Sequence, residues 1–182
     1  MTTNKSKTPP KNDIKFSISL SAEQKIAKSK ILTTPFNFIL GKAGSGKTLL
    51  AVQVALDKYF KREIDKIIIT RPTVIFCSAD NDIENFISFF GGRTFDNCVC
   101  IVDEFQNLTK QQLQMVLSRL GKGSTMILCG DRYQIDLKFR NDSAIHDVPK
   151  IKESKYVNET ILTDNHRHES LEEILNLLNE KY

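Results

Sequence analysis

One stretch of the sequence has the residue types and spacing of a phosphate-binding loop. Residues 41–48 read GKAGSGKT, a complete GxxxxGK[ST] pattern between the apolar run FNFIL and the helical pattern LLAVQVALDKYF. Its glycines allow backbone N–H groups to turn towards a phosphate chain, and the start of the next helix adds the positive end of its dipole. Lys47 is predicted to hold the β- and γ-phosphates, and Thr48 to hold Mg²⁺ through its hydroxyl. The alternative is a flexible surface loop. The predicted nucleotide-binding residues of this segment are Gly41, Lys42, Ala43, Gly44, Ser45, Gly46, Lys47, Thr48 and Leu49.

A second apolar run ends in two acidic residues. Residues 98–102 are followed directly by Asp103 and Glu104. A Mg²⁺ ion on a nucleotide needs a second anchor, and hydrolysis needs a base beside the attacking water. We predict that Asp103 binds the metal, directly or through water, and that Glu104 orients and deprotonates the water. The alternative is that the pair caps the next helix or faces solvent.

A third polar group follows the apolar run TMILC. Gln134 ends the sequence GDRYQ, directly after this run. A polar side chain just past a strand that adjoins the P-loop strand could reach the γ-phosphate, so we predict that Gln134 senses hydrolysis. A turn leaving the strand is a sufficient explanation for Gly130 and Asp131.

These groups require a sheet that brings several strand ends together. Short apolar runs alternate with segments whose apolar period is near 3.6 residues, which predicts an α/β domain with a mainly parallel five-stranded sheet. The clearest helix has Thr109 as its N-cap and Gly121 as its stop, and similar apolar faces occur at 83–90 and 171–178. The predicted strands are 36–40, 67–70, 98–102, 125–129 and about 159–162.

Length and composition indicate one ordinary folded domain. The chain has 182 residues, of which 40% are hydrophobic and 26% charged. It contains neither a signal-peptide pattern nor the run of roughly 18 apolar residues that a membrane-spanning helix needs, so we expect a cytoplasmic protein without a membrane partner. Most of the net charge of +4 lies in residues 1–15. We expect this segment to be a basic, disordered tail and 16–182 to be a single domain.

The cysteines fit an apolar core better than a metal site. Cys98, Cys100 and Cys129 lie inside strand-like runs, and the sequence contains no CxxC pair. They are therefore predicted to be reduced thiols of the core.

In their order along the chain, the motifs resemble those of the PhoH-like ATPases. The motifs are GKAGSGKT, TRPTV, GRTF, IVDEFQN, LSRLGKGS, GDRYQIDL and HRH, spread over roughly residues 20–170. The core of that family is similar to the first RecA-like domain of superfamily 1 helicases. The resemblance implies a three-layer RecA-like P-loop fold, ATP and Mg²⁺ as cofactors, a link to RNA or single-stranded nucleic acid, and a homo-oligomer, with a hexamer as the candidate size.

The sequence departs from the family between the TRP and GRT motifs. Relatives usually carry a longer stretch with a GFLPGD-like element, whereas residues 73–92 make the whole connection here. The catalytic core is expected to survive, because the runs on both sides are intact. The missing stretch is a candidate source of the surfaces for nucleic-acid binding and ring assembly, so the resemblance implies these two properties less directly than the catalytic core.

The resemblance also implies roles for single residues outside the two main motifs. Gln106 would join Gln134 in coupling the γ-phosphate to movement. Arg71 matches the segment with which helicases touch nucleic acid; its alternative is a surface arginine fixed by the turn at Pro72. Arg93 lies in the GRT motif without a role that we can derive.

Two further residues carry open alternatives. Gln24 stands where helicase-like proteins place an adenine-binding glutamine, but it also completes a capping box with Ser21. Arg167 matches the late arginine of the family and is predicted to be a finger that acts across a subunit boundary. Its alternative is a surface arginine paired with Glu169 or Asp164.

Three classes of function share these motifs. They are an ATPase acting on RNA or single-stranded DNA, a small-molecule kinase, and a nucleotide-dependent binding module with slow hydrolysis. A kinase would need an acceptor pocket and usually an arginine-rich lid. Glu104, Gln106 and Gln134 instead favour water as the nucleophile, and the absence of an NKxD guanine element favours ATP over GTP.

Overall fold

The computed structural model describes residues 19–72, 94–166 and 170. Within these ranges the protein is built on five strands in the spatial order β2-β3-β4-β1-β5, and every neighbouring pair is parallel. The predicted five-stranded sheet is confirmed, and each predicted run falls inside one strand. The strands are β1 Phe36–Gly41, β2 Lys66–Thr70, β3 Cys98–Asp103, β4 Thr125–Gly130 and β5 Val157–Leu162.

Four α-helices and three 3₁₀ helices accompany the sheet in the described ranges. The α-helices are α1 Ala22–Ile31, α2 Lys47–Phe60, α3 Lys110–Leu117 and α4 Val148–Ile151. The 3₁₀ helices are Phe105–Asn107, Arg140–Asp142 and Ala144–Asp147. Both predicted capping boxes are present, at Ser21 for α1 and at Thr109 for α3. Among the described residues, no helix has the length and apolarity to cross a membrane.

Helix α3 ends earlier than its sequence pattern predicts. Gly121 was the expected stop, but the helix ends at Leu117. The next residues leave the helical path because Phe95 bonds to them: its N–H donates to the Arg119 carbonyl, and its carbonyl accepts from the Gly121 N–H. A tertiary bridge to Phe95 therefore replaces the last predicted helical turn. The patterns at 83–90 and 171–178 lie outside the described residues.

Helices cover both faces of the sheet and give the three predicted layers. Side chains of successive strand residues point to opposite faces, so Val99 and Ile101 of β3 pack with α1 and α2, whereas Val102 packs with α3 and α4. The thiols are buried, and burial raises the pKa of Cys100 to about 12. Burial also raises the pKa of Cys98 and Cys129. These cysteines are core residues, as predicted.

The position of β4 decides what the sheet brings together. β4 lies between β1, which leads into the P-loop, and β3, which ends at Asp103. All five strands are parallel, so the loops that follow β1, β3, β4 and β5 leave the same edge of the sheet. Ligands of open α/β sheets bind at this carboxyl edge. The predicted site residues are therefore gathered at one place.

Candidate active site

The P-loop depends on two glycines with backbone conformations that other residues rarely adopt. Gly44 has a φ of 92° and Gly46 a φ of 79°. A Cβ atom at Gly46 would also collide with Nε2 of Gln24. Helix α2 starts directly afterwards at Lys47, so the unpaired N–H groups of its first turn lie at the loop. This arrangement suits a phosphate group.

Lys47 extends its ammonium group across the loop. Its Nζ donates to the carbonyl oxygens of Gly41, at 2.8 Å, and Lys42, at 3.0 Å. These are the first two residues of the P-loop, so the cation is held within the loop itself. Phosphate oxygens are acceptors for the same donor. The geometry fits the predicted phosphate-binding role.

Thr48 and Asp103 meet at the carboxyl edge of the sheet. The Thr48 hydroxyl donates to Oδ1 of Asp103 at 2.9 Å, joining residues from α2 and β3. Mg²⁺ takes oxygen ligands, and it commonly uses one or two protein groups together with phosphate oxygens and water. The hydroxyl and the carboxylate form a donor set of this type, so these two residues fit the predicted metal site.

Glu104 is fixed in both its backbone and its side chain. It is one of three non-glycine residues with positive φ in the described ranges, at 55°, a conformation that costs energy and is common at functional sites. Its Oε1 lies 3.2 Å from Nη2 of Arg71, and its Oε2 accepts from Nε2 of Gln106. Glu104 precedes a 3₁₀ helix without a side-chain capping bond. The geometry therefore favours the predicted base over the alternative of a helix cap.

Gln106 connects the end of β3 to the loop after β4. This residue is fully buried, and its amide nitrogen donates both to Glu104 and to the carbonyl of Gln134, the latter at 2.8 Å. Its amide oxygen accepts from the Asp131 N–H at 3.1 Å. The backbone carbonyl of Gln134 thus takes part in the site, while its side chain is exposed to solvent. The sensor role of that side chain stays a prediction.

Asp131 is a site residue that sequence reasoning missed. Its side chain is buried, with 3% of the residue exposed. Oδ1 accepts from the Tyr133 N–H at 2.9 Å, which is the expected turn, but Oδ2 accepts from the P-loop N–H of Ala43 at 2.9 Å. The turn interpretation is therefore incomplete. The signal was the position of GDRYQ after an apolar run, but the sequence pattern does not show that this strand lies beside β1.

Gln24 serves the capping box and touches the P-loop as well. Its Oε1 accepts from the Ser21 N–H at 3.1 Å, and its Nε2 donates to the Ser45 carbonyl at 3.2 Å. The same nitrogen lies 3.3 Å from Nε2 of His166. The capping box is confirmed, and contact with adenine stays a prediction.

The segment after β5 lies over the P-loop. The Glu23 carboxylate accepts from the N–H groups of Thr163, at 2.8 Å, and Asp164, at 3.2 Å. Two residues on, the His166 N–H donates to the Gly44 carbonyl at 3.0 Å. These contacts hold the segment after β5 against both the start of α1 and the phosphate loop. Arg167 comes next but lies outside the described residues, as does Arg93.

Arg71 lies beside the proposed base. Its side chain is 64% exposed, and its guanidinium pairs with Glu104. The sequence patterns did not predict this ion pair, because it joins the end of β2 to the end of β3. Arg71 is thus positioned both to meet solvent and to orient Glu104.

The chain is similar to a known protein family and to individual members of it. A family model described as "PhoH-like protein" matches residues 18–85 and 77–179. A PhoH-like protein of Synechocystis is 35% identical over 138 residues, covering 55% of this chain and 42% of the relative. Protein PhoH of Escherichia coli is 32% identical over 143 residues, covering 55% of this chain and 40% of the relative. The chain therefore spans less than half the length of these two curated relatives.

Solved structures share the fold at low sequence identity. The Pif1 helicase of Candida albicans gives a TM-score of 0.53 at 20% identity, covering 89% of this chain and 43% of that one. A Bacteroides Pif1 bound to single-stranded DNA gives a TM-score of 0.53 at 16% identity, covering 90% and 46%. These matches, together with the sheet order, confirm a RecA-like core fold.

Proposed function

Because the chain belongs to the PhoH-like family, we propose that it is a Mg²⁺-dependent ATPase whose hydrolysis is coupled to RNA or single-stranded DNA. The observation that carries this proposal is the contact between Thr48 and Asp103, with the carboxylate of Glu104 fixed next to it. This arrangement places a phosphate loop, oxygen ligands for a metal ion and a positioned base at one edge of the sheet. A P-loop NTPase needs these three elements.

Each residue has a defined part in the proposed reaction. Lys47 holds the β- and γ-phosphates, while Thr48 and Asp103 are the residues that would hold Mg²⁺. The metal ion, when bound, neutralises charge on those phosphates. Glu104 accepts the proton of the attacking water, and Gln106 keeps the Glu104 carboxylate in place. The proposed nucleophile is water, with Gln106 and the loop of Gln134 beside Glu104 to orient it.

Further groups complete the proposal outside the central contact. The exposed side chain of Gln134 is available to sense the γ-phosphate, and Gln24 is proposed to contact adenine from its position beside Ser45. Arg167 is proposed as an arginine finger from a neighbouring subunit. From the resemblance to the family, we also propose a homo-oligomer. The cytoplasmic location stays a prediction.

The proposed nucleic-acid partner is supported by two observations. Arg71 is exposed and pairs with the proposed base, Glu104. A nucleic-acid phosphate that binds Arg71 would therefore lie next to that base. In addition, one protein with the same fold, the Bacteroides Pif1, was solved bound to single-stranded DNA. Phosphate release should therefore be measured with ATP alone and then with poly-U or single-stranded DNA. If neither polymer changes the rate of ATP hydrolysis, the protein is an ATPase and the proposed nucleic-acid partner is wrong.

We predict that Glu104→Gln separates binding from hydrolysis. The amide keeps the shape of the side chain but cannot accept the proton, so turnover should fall by about 10²-fold or more while Mg·ATP still binds. The comparison variant is Lys47→Ala, which removes the cation from the loop and should abolish most nucleotide binding with the fold intact. Calorimetric titration with a non-hydrolysable ATP analogue, together with a phosphate-release assay, measures both effects. Unchanged turnover in Glu104→Gln would contradict the proposed base.

A further inference from the structure

The loop that follows β4 combines contacts to the site with exposed aromatic residues. Asp131 bonds to the P-loop, and the Gln134 carbonyl bonds to Gln106. Tyr133 is 75% exposed and borders a cleft that is also lined by Gly41 and Lys42, and Phe139 is 62% exposed. Single exposed apolar residues are ordinary, but two large exposed rings on one short loop form a candidate binding surface.

The backbone beneath these rings is held in place. Ile135 is buried, and the Asp136 N–H donates to the side-chain oxygen of Asn107 at 2.9 Å. The Asn107 amide donates back to the Asp136 carboxylate at 3.1 Å. Arg140 closes the loop by donating from Nη2 to the Tyr133 carbonyl at 2.9 Å. The two rings are therefore presented on a fixed backbone rather than on an unanchored segment.

Positive charge accompanies the rings. The Lys138 ammonium lies 5.5 Å from the centroid of the Phe139 ring, and Arg140 is exposed beside Tyr133. The one acidic residue between Tyr133 and Arg140 is Asp136, whose carboxylate accepts from Asn107. We call Tyr133, Lys138, Phe139 and Arg140 the aromatic–basic surface. Exposed rings next to cations suit unpaired bases attached to a phosphate backbone.

We propose that the aromatic–basic surface binds single-stranded nucleic acid, with bases stacked on Tyr133 and Phe139 and phosphates near Lys138 and Arg140. This inference rests on the proposed function and adds the surface and the mode of contact. A protein partner is the competing occupant, because aromatic residues and arginine are also enriched in protein–protein interfaces; Lys138, a residue type depleted there, favours nucleic acid. Stacking has little sequence preference, since every base has an aromatic face.

The position of this surface also suits coupling to ATP. Tyr133 lies two positions from Asp131, which contacts the P-loop, and one position from Gln134, which contacts Gln106. A strand held on the aromatic–basic surface would thus restrain the same loop that touches the P-loop and Gln106.

The test uses fluorescence anisotropy with the full chain and fluorescein-labelled oligo-U and oligo-dT, each about 20 nucleotides long and thus longer than a typical single-domain site. Tyr133→Ala and Phe139→Ala should each weaken binding by between about 5-fold and 150-fold, as expected for the loss of one stacked base. Tyr133→Phe and Phe139→Tyr keep an aromatic ring and should bind nearly as well as the unmodified protein. Thermal unfolding of each variant shows whether it is folded.

The chain offers a matched control at the opposite edge of the sheet. Tyr156 is 56% exposed, and the Lys155 ammonium lies 5.1 Å from its ring centroid, but it immediately precedes β5 rather than following a strand. Tyr156→Ala should therefore bind the oligonucleotides as tightly as the unmodified protein.

The outcomes separate this inference from the proposed function. If the unmodified protein binds and both alanine variants bind equally well, the aromatic–basic surface is wrong while a nucleic-acid partner stands. If the unmodified protein binds neither oligonucleotide, both the surface and the proposed partner are wrong. If the alanine substitutions change the mass of the assembly in light scattering but leave oligonucleotide binding unchanged, the surface joins protein subunits and the inference is overturned.

Discussion

At the scale of single residues, Asp131 joins two loops that are far apart in the sequence. One of its oxygens accepts from Ala43 in the P-loop and the other from Tyr133 in its own turn. Hydrogen bonds to a charged group contribute more to stability than neutral ones, particularly when the group is buried. Asp131 therefore acts as a positioning residue for the P-loop.

We predict that Asp131→Asn destabilises the fold and weakens nucleotide binding. Asparagine provides one acceptor oxygen for two N–H donors and turns its NH₂ group towards one of them. The free energy of unfolding should fall by about 1.5–3 kcal/mol, as measured by urea denaturation, and the affinity for an ATP analogue should fall with it. Asp136→Asn is the control, because this exposed residue of the same loop keeps an amide oxygen that can still accept from Asn107. Equal stability and affinity of the two variants would contradict this role for Asp131.

The residues differ in how far the sequence could predict them. Lys47, Thr48, Asp103 and Glu104 belong to contiguous patterns whose chemistry is local, and the structure brings them together. The contact between Asp131 and Ala43 depends on which strands are neighbours, and sequence periodicity does not specify strand order. The same holds for the pair of Arg71 and Glu104, which needs β2 beside β3.

At the scale of elements, the two capping boxes have the same chemistry but different surroundings. The glutamine of the α1 box, Gln24, also donates to the P-loop carbonyl of Ser45. The glutamine of the α3 box, Gln112, exchanges hydrogen bonds with its own N-cap residue, Thr109. The first box therefore connects a helix start to the site.

We predict that Ser21→Ala and Thr109→Ala have similar effects on stability and different effects on nucleotide binding. Each removes an N-cap, which costs about 1 kcal/mol of stability. Ser21→Ala should in addition lower ATP affinity, because it removes the hydroxyl that accepts from the Gln24 N–H and so loosens the helix start from which Gln24 reaches Ser45. Urea denaturation and analogue titration on both variants measure these effects. Equal affinities of the two variants for the ATP analogue would show that the α1 capping box has only a structural role.

Element boundaries show where sequence patterns stop being sufficient. The five strands could be predicted because each contains a short apolar run, as strands of parallel sheets do. The end of α3 could not, since its last predicted turn is replaced by the bridge to Phe95, which comes from a distant part of the chain. The helix start at Thr109 was predictable because a capping box involves only four consecutive residues.

At the scale of the whole molecule, the proposed arginine finger Arg167 requires a neighbouring subunit at the ATP site. We predict a homo-oligomer in the presence of Mg·ATP, with a hexamer as the candidate size, measured by light scattering. Inactive Arg167→Ala and inactive Lys47→Ala subunits should regain activity when mixed, because some interfaces then pair an intact P-loop with an intact finger. A monomeric mass under hydrolysing conditions would contradict the oligomer. Normal hydrolysis by Arg167→Ala alone would contradict the finger.

The pairing of β1 has a consequence for how the protein is made. β1 lies near the start of the chain, yet its partners come late: Phe36 pairs with Met126 of β4 and with Val157 of β5. Such non-local pairing slows folding, because a long loop must close before the contacts form. During synthesis, the strand that leads into the P-loop has neither neighbour until β4 and β5 have left the ribosome. The nascent chain therefore completes its nucleotide site only once β5 has been made, and until then the unpaired edges of its apolar strands are prone to aggregation.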